Sequence, residues 1–416
     1  TDSYTSFVAN YFRNSVLAAL GVATWIVFLT ASAEPMYRAA YPRLTSLRLG
    51  LGWRGLRSRS FFINNVVSLT LTCFFFAYQT IFYLTANKLG AWSPAEVNYS
   101  DLLSTRFPWV WVLFIGFLPA ISEELQFRAF AIPFLHRILR HKAVAVVLAA
   151  FIWGFLHSNY PSQPFFIRGI EVGLGGIIIG LVMLRFGLIG TLVWHYSVDA
   201  IYTAFLLLRS SDSYLMVSGA ITAGIMLVPL VISLIAYLRA GTFTDDAAIT
   251  NESAGTRRAP EAEHAPEAPR PLVYLPLARS RLILGGVLIA FCAALVLLPV
   301  ERFGKNTPIA TTRRDALRLA DEYLRQRGID PASYRSVAWP SANVDSSAVK
   351  YIQERRTIGE TERIYGQSTR LVLWTVRYFR PLEKEEHWVY VDASEPGVFS
   401  YRHTLDEDAP GASLSL

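Results

Sequence analysis

Long, unbroken apolar runs constrain this chain more than any other feature of its sequence. They occupy approximately residues 14–33, 61–86, 113–135, 143–158, 166–184, 187–208, 214–238 and 281–299. A helical run of about 18 or more apolar residues can cross about 30 Å of hydrocarbon. Soluble domains of this size usually carry more charge than the 17% found here. The runs predict an all-α polytopic membrane protein with about eight transmembrane helices.

The net charge of +7 does not indicate a nucleic-acid partner. Its arginines cluster beside apolar runs instead of forming one soluble basic face. The loop after the first run, residues 38–59, holds six arginines and no acid. By the positive-inside rule this loop is cytoplasmic, and alternation of the eight runs then places the C-terminus outside. Both cysteines, Cys73 and Cys292, lie within apolar runs, which leaves no disulfide framework or zinc-ribbon spacing.

The C-terminal quarter of the chain reads as a small α+β soluble domain. Residues 311–328 predict an amphipathic helix with Ala316, Leu319, Ala320, Tyr323 and Leu324 on one stripe and Gly328 as its stop. Residues 370–379, 387–393 and 397–403 predict strands. We therefore expect a first helix and basic loop at 1–60 and a helical core at 61–240. A flexible cytoplasmic linker rich in Ala, Pro and Glu follows at 241–280. A last helix at 281–300 then leads to an extracytoplasmic domain at 301–416.

Two adjacent carboxylates and an arginine lie within the third apolar run. Ionisable groups inside a membrane are costly unless they are paired or functional. Glu124 and Arg128 are four residues apart, so they share a helix face and can neutralise each other. Glu123 is rotated about 100° away and lacks that partner. A buried Glu–Arg pair that only holds helices together is the structural alternative.

Two histidines lie in other apolar runs. His157 ends the fourth run, and His195 lies in the sixth with Asp199 four residues later. Each alone is typical of a packing histidine or an ordinary hydrogen-bonded couple. At about 1.5 Å per residue, however, Glu123, His157, His195 and Asp199 reach a similar depth in the membrane. We therefore expect them to converge on one cavity.

Such a set of side chains can hydrolyse a peptide bond. A carboxylate and an imidazole can bind a water and remove its proton, and a second histidine can donate to the oxyanion that forms. Two histidines and one glutamate can also bind catalytic zinc. That set is usually carried by an HExxH motif, which this sequence lacks. A metal-free site without cofactors is therefore favoured, and the zinc site remains the alternative.

The three segments resemble the CAAX protease and bacteriocin-processing family (CPBP, or Abi), which includes the type II CAAX prenyl endopeptidases. The family patterns EExxxR, FxxxH and HxxxN/D stand here as Glu123 to Arg128, Trp153 to His157 and His195 to Asp199. The similarity covers roughly residues 60–210. By position, it implies that Glu123 and His157 activate water, that His195 and Asp199 form the oxyanion pocket, and that Glu124, Arg128 and Trp153 orient the site.

Two positions depart from the family patterns. Trp153 replaces a phenylalanine, which exchanges one aromatic wall for another. Asp199 stands where the eukaryotic prenyl proteases have Asn, and an ionised Asp cannot donate to an oxyanion. Asp199 must therefore be protonated or hold His195 as an acceptor. This weakens the case for a prenylated substrate more than the case for peptide hydrolysis.

The sequence as a whole predicts an intramembrane glutamic endopeptidase in a bacterial inner membrane. Its expected partners are membrane lipids and a peptide or protein substrate, lipid-modified or not, and no nucleic acid. Two alternatives remain open. One is a zinc-dependent membrane metalloprotease that uses the same residues. The other is a catalytically silent membrane scaffold or immunity-type protein that keeps the fold for partner contacts.

Overall fold

The structure is a computed structural model, and it describes residues 4–92, 100–255, 278–304 and 307–405. The protein is mostly helical in these residues. Within these residues the helices are α1 (Tyr4–Ala40), α2 (Leu47–Gly50), α3 (Trp53–Leu56), α4 (Arg59–Lys88), α5 (Pro108–Glu123), a π-helix (Glu124–Ala131), α6 (Ile132–Leu139), α7 (Lys142–Phe155), α8 (Ile167–Phe186), α9 (Leu188–Leu208), α10 (Ser213–Ala223), α11 (Leu227–Ala240), α12 (Asn251–Gly255), α13 (Arg279–Val296), α14 (Arg313–Gln326), α15 (Ser346–Gln353) and α16 (Ile358–Ser368).

Six helical stretches of the described residues are long and apolar enough to cross a membrane. They are Thr5–Ala40, Arg59–Lys88, Pro108–Leu139, Ile167–Phe186, Leu188–Leu208 and Arg279–Val296. A seventh results if α10 and α11, which meet at a 55° bend, form one broken span. The run predicted at 143–158 corresponds to α7, whose 14 residues extend about 21 Å and do not cross 30 Å alone. The mostly helical class is thus confirmed, and six stretches, not eight, meet the length and composition of a membrane span on their own.

The chain divides into two compact units. The first comprises Thr1–Ala86, Gly116–Val198 and Met226–Pro299, and the second comprises Asn87–Ile115, Asp199–Ile225 and Val300–Leu416. In the first unit, a buried apolar cluster joins the end of α1 to the π-helix and its neighbours; its members are Ala33, Tyr37, Leu125, Ala129, Ile132, Val146, Ala149, Met183 and Leu188. The backbone N–H of Leu188 donates to the Tyr37 hydroxyl at 3.2 Å. This cluster holds in place the π-helix, which begins at Glu124.

The start of the predicted linker packs against the arginine-rich loop. Residues 246–249 form a 3-10 helix, and α12 begins two residues after its end. The backbone N–H of Ser46 donates to the Ile249 carbonyl at 2.9 Å, and that of Thr244 donates to the Arg57 carbonyl at 3.0 Å. Ile249 is buried, because its apolar side chain has this loop as a surface to pack against. Residues 256–277, the larger part of the predicted linker, lie outside the described residues.

The C-terminal domain is built on a four-stranded antiparallel sheet. Its strands are β1 (Arg335–Ala342), β2 (Val372–Phe379), β3 (Glu386–Asp392) and β4 (Val398–Thr404), paired in the order β1-β2-β3-β4. Helix α14 packs on the sheet, and the Tyr378 hydroxyl donates to an Asp321 carboxylate oxygen on α14 at 2.6 Å. Ala316, Ala320 and Leu324 are fully buried, as their predicted stripe requires.

The sequence predicted α14, β2, β3 and β4 but not β1. Pro340 interrupts the run that forms β1, and a proline cannot donate a ladder hydrogen bond. Such a residue is tolerated here because β1 is an edge strand of the sheet. The two helices α15 and α16, between β1 and β2, were also absent from the prediction. The predicted small α+β domain is nonetheless observed.

Candidate active site

Glu123 and Glu124 lie where α5 passes into the π-helix. Glu123 is the last residue of α5, and Glu124 begins eight residues with the wider π-type turn. Single π-turns occur frequently at functional sites, because the wider turn redirects side chains. The two carboxylates have different surroundings: Glu124 is fully buried, whereas the side chain of Glu123 keeps 26% of its surface exposed.

Glu124 is the centre of a buried charged cluster. Its Oε1 lies 3.2 Å from Nη1 of Arg128 and 2.8 Å from Nδ1 of His195. Arg128 is 2% exposed, so its charge needs this partner. The predicted pairing of Glu124 with Arg128 is therefore present, and the same carboxylate also orients the His195 ring.

Glu123 faces both histidines through one oxygen. Its Oε2 lies 3.9 Å from Nε2 of His157 and 3.6 Å from Nε2 of His195. Both distances exceed a direct hydrogen bond, so the three groups lie close together without bonding to one another. The structure thus brings together Glu123, His157 and His195, as their matching depths predicted.

Trp153 makes a specific contact that the sequence did not predict. Its indole Nε1 donates to Oε2 of Glu123 at 2.5 Å, which no phenylalanine could do. The guanidinium of Arg128 lies over the same indole ring, 3.9 Å from its centroid. Trp153 therefore links Glu123 to the Glu124–Arg128 pair and does more than replace one aromatic wall with another.

The ring orientations of the two histidines follow from their backbone and carboxylate partners. His157 lies two residues beyond the end of α7, and its Nδ1 is 2.9 Å from the Trp153 carbonyl. Because a carbonyl only accepts, Nδ1 carries the proton, and Nε2 of a neutral His157 can accept one. His195 likewise directs Nδ1 to the Glu124 carboxylate. Its Nε2 can therefore donate only when the ring is doubly protonated.

Asp199 lies one helical turn after His195 on α9 and is half-buried. The hydroxyl of Thr203 donates to the Asp199 backbone carbonyl at 2.8 Å. The role of Asp199 in an oxyanion pocket stays a prediction from the family pattern.

A second buried carboxylate, Glu171, was not predicted from the sequence. Glu171 lies on α8 and is fully buried. Nη1 of Arg168 donates to its Oε2 at 2.5 Å, and Nε2 of Gln79 donates to its Oε1 at 2.8 Å. The Arg168 guanidinium lies 5.4 Å from the ring centroid of Tyr160, which stacks on His157 at 6.0 Å. The sequence did contain a signal for this pair, because Arg168 and Glu171 are a base and an acid three residues apart inside an apolar run.

Known proteins resemble this part of the chain. Residues 105–201 match the family described as type II CAAX prenyl endopeptidase Rce1-like, and this span contains all three motifs. The chain is 26% identical over 77 residues to the sporulation-killing factor biosynthesis protein SkfC of Bacillus subtilis (strain 168), a match that covers 18% of this chain and 16% of that protein. No solved structure matches the chain. The resemblance suggested by the motifs is thus confirmed over this segment.

Proposed function

We propose that this chain, whose residues 105–201 match the Rce1-like type II CAAX prenyl endopeptidases, is an intramembrane endopeptidase of the glutamic type. The family match indicates a membrane endopeptidase. The glutamic mechanism rests on one observation, which is that Oε2 of Glu123 faces Nε2 of His157 and Nε2 of His195 at 3.9 and 3.6 Å. A water between these groups would contact a base on each side.

In the proposed reaction, Glu123 and His157 remove a proton from that water. The water oxygen bonds to the carbonyl carbon of the scissile peptide, and the carbonyl oxygen becomes an oxyanion. The C–N bond then breaks, and the proton held at the site passes to the leaving nitrogen. The indole N–H of Trp153 holds the Glu123 carboxylate in place for both proton transfers.

His195 and Asp199 are assigned to the oxyanion. Since Nδ1 of His195 is directed to Glu124, donation from Nε2 requires the imidazolium form. Carboxylate oxygens of Glu123 and Glu124 lie 3.6 Å from Nε2 and 2.8 Å from Nδ1 of His195. Asp199 would contribute either as a protonated donor or as an acceptor that holds the ring. Glu124 and Arg128 have the positioning role, because both are buried and paired.

The proposed location is a bacterial inner membrane, with eight crossings and an extracytoplasmic C-terminal domain. Here α7 and the residues after it count as one crossing, and the bent pair α10–α11 counts as another. The proposed substrate is a peptide or protein near or within the bilayer. A lipid-modified peptide is the narrower version of this proposal, and the family match is its support.

The division of labour between the carboxylates provides the test. We expect Glu123→Gln to lower peptide cleavage by about 10²-fold or more, because it removes the general base but keeps the side-chain volume. Glu124→Gln is the matched control, since it makes the same change one residue later. It should mainly reduce folded yield, because breaking a buried pair costs about 3–5 kcal/mol. Cleavage and thermal melting of each purified variant are measured, and near-normal turnover of Glu123→Gln would overturn the mechanism.

Two alternative functions have their own signatures in this assay. A zinc metalloprotease is favoured by the convergence of two imidazole nitrogens on one carboxylate oxygen, which is also a zinc-binding arrangement. Loss of cleavage on chelation and its restoration by added zinc would support that function. A silent scaffold would show no cleavage in the unaltered protein against a broad peptide library.

A further inference from the structure

Three side chains of types that can ligate a metal come together in the C-terminal domain, in a part of the chain outside the family match. Glu385, His387 and His403 each present one ligand atom within 4.8 Å of the other two. His387 on β3 lies directly opposite His403 on β4, and their rings stack with centroids 4.4 Å apart. Nε2 of His403 is 2.8 Å from Oε1 of Glu385.

The three side chains of the cluster differ in burial: His387 is buried, whereas Glu385 and His403 are partly exposed. His387 is 2% exposed, and its two ring nitrogens lie 2.8 Å from the Tyr401 hydroxyl and 3.1 Å from the Tyr334 hydroxyl. Glu385 and His403 are partly exposed, with 39% and 34% of their side-chain surface accessible. A cation could therefore reach the cluster from the side of Glu385 and His403, while His387 is held in place.

A structural role without metal is the simpler interpretation of His387 alone, because tyrosine hydroxyls already satisfy both ring nitrogens. That interpretation does not account for the second imidazole stacked on it or for the carboxylate beside that imidazole. Stacked imidazoles repel when both are protonated, and a shared cation would instead attract both. The combination of two histidines and one carboxylate is also a recurrent ligand set for zinc.

We propose that Glu385, His387 and His403 form a binding site for a borderline divalent cation of the zinc class. Imidazole and carboxylate ligands suit Zn²⁺ and Co²⁺ better than Ca²⁺ or Mg²⁺, which prefer oxygen ligands alone. Bonds of about 2.0–2.2 Å place tetrahedral ligand atoms roughly 3.4 Å apart. Ligand-atom separations of up to 4.8 Å must therefore close by up to about 1.4 Å, and the 2.8 Å separation of His403 Nε2 from Glu385 Oε1 must open by about 0.6 Å. Rotation of the two partly exposed side chains provides both movements.

The tyrosines then orient the buried ligand. A histidine that binds a metal usually donates its other ring N–H to a nearby acceptor, which fixes the tautomer. One ring nitrogen of His387 must exchange its tyrosine hydroxyl for the cation, and the other nitrogen keeps its tyrosine hydroxyl. The cation would also join β3 to β4, which is the edge strand at this side of the sheet. Binding should therefore stabilise the pairing of these two strands.

The test is a Co²⁺ titration of the full-length, metal-stripped protein in detergent, followed by visible absorption. We expect one Co²⁺ per chain and its displacement by Zn²⁺. His403→Ala and Glu385→Gln should each weaken Co²⁺ binding by at least tenfold, because they remove partly exposed ligands and leave His387 in place. Exposed His136, which lies outside the cluster, provides the matched control His136→Ala.

A second control, His157→Ala, distinguishes Co²⁺ bound at the candidate active site from Co²⁺ bound in the C-terminal domain. This variant should keep the full Co²⁺ signal. Loss of Co²⁺ in His157→Ala with retention in His403→Ala would locate the metal in the membrane and overturn the proposal. Unchanged binding in both His403→Ala and Glu385→Gln would also overturn it. Added Zn²⁺ should raise the melting temperature of the unaltered protein but not of His403→Ala. None of these readouts depends on peptide cleavage, so the proposed protease function is tested separately.

Discussion

At the scale of single residues, Trp153 shows how one departure from a family pattern can add chemistry. The indole N–H donates to Glu123, and the indole face receives Arg128. A hydrogen bond to a charged group contributes about 1.5–3 kcal/mol, roughly twice a neutral one. The substitution of phenylalanine by tryptophan therefore ties the proposed base to the buried ion pair.

We predict that Trp153→Phe lowers peptide cleavage by about tenfold or more while the protein stays folded. The change removes the donor to Glu123 and keeps an aromatic ring under Arg128. Trp194→Phe is the matched control: Trp194 is also buried beside a site histidine, and its indole nitrogen has no hydrogen-bond partner among the described residues. Cleavage rates and melting temperatures of both variants are compared, and equal losses of activity would refute the role of the indole N–H.

The sequence revealed some residue contacts and concealed others. Spacing of four residues within a helix indicated the Glu124–Arg128 pair, because i and i+4 side chains share a face. The link from Trp153 to Glu123 joins α7 to α5, and no local spacing encodes a contact between those helices. The buried Glu171 was detectable in principle, since carboxylates are rare in apolar runs.

At the scale of elements, the π-helix is the feature that sequence patterns did not show. Residues 124–131 carry no proline or glycine and would continue a regular α-helix on local propensity alone. The wide turn is therefore selected by packing against α1 and α7. By contrast, helices as a class were predictable, because a long apolar run in a membrane has few other ways to satisfy its backbone.

Close packing of α7 on α8 depends on glycine. A Cβ at Gly154 would lie 2.5 Å from the Gly169 carbonyl oxygen and 2.6 Å from the backbone nitrogen of Gly173. We predict that Gly154→Ala destabilises the protein by about 1–3 kcal/mol and lowers cleavage, because the helices must separate and α7 carries Trp153.

Gly285→Ala on α13 is the control for this helix contact. A Cβ there meets nothing within 4 Å among the described residues, and alanine favours a helix over glycine by up to about 1 kcal/mol. Its melting temperature should be unchanged or higher. If Gly154→Ala melted like Gly285→Ala, close approach of α7 and α8 would have no role in stability.

At the scale of the whole molecule, segments assigned to the same side of the membrane contact one another. In the first unit, the arginine-rich loop bonds to residues 244–251, and both were predicted to be cytoplasmic. In the second unit, the Arg209 guanidinium donates to the Thr307 carbonyl at 2.7 Å, and the Ser211 hydroxyl donates to the Ala310 carbonyl at 3.0 Å. Alternation of the eight runs from the cytoplasmic loop places both segments outside, so the contacts support the proposed topology.

We predict that Glu395→Cys, at an exposed position, reacts with an impermeant thiol reagent in intact bacterial cells. The background protein carries alanine at Cys73 and Cys292. Arg54→Cys in the arginine-rich loop is the matched control and should react only after lysis, because that loop is assigned to the cytoplasm. Labelling is measured by mass shift, and the reverse pattern would invert the topology.

The hydrogen bond from Trp153 to Glu123 also makes the proposed base observable. An indole proton shared with a carboxylate resonates at a frequency that responds to the charge of that carboxylate. The chain has 10 tryptophans, few enough for separate indole signals in a ¹⁵N-labelled sample. Trp388 in the C-terminal domain donates to Glu386 at 3.1 Å and offers an internal comparison. The ionisation of Glu123 can thus be followed by spectroscopy before any substrate is known.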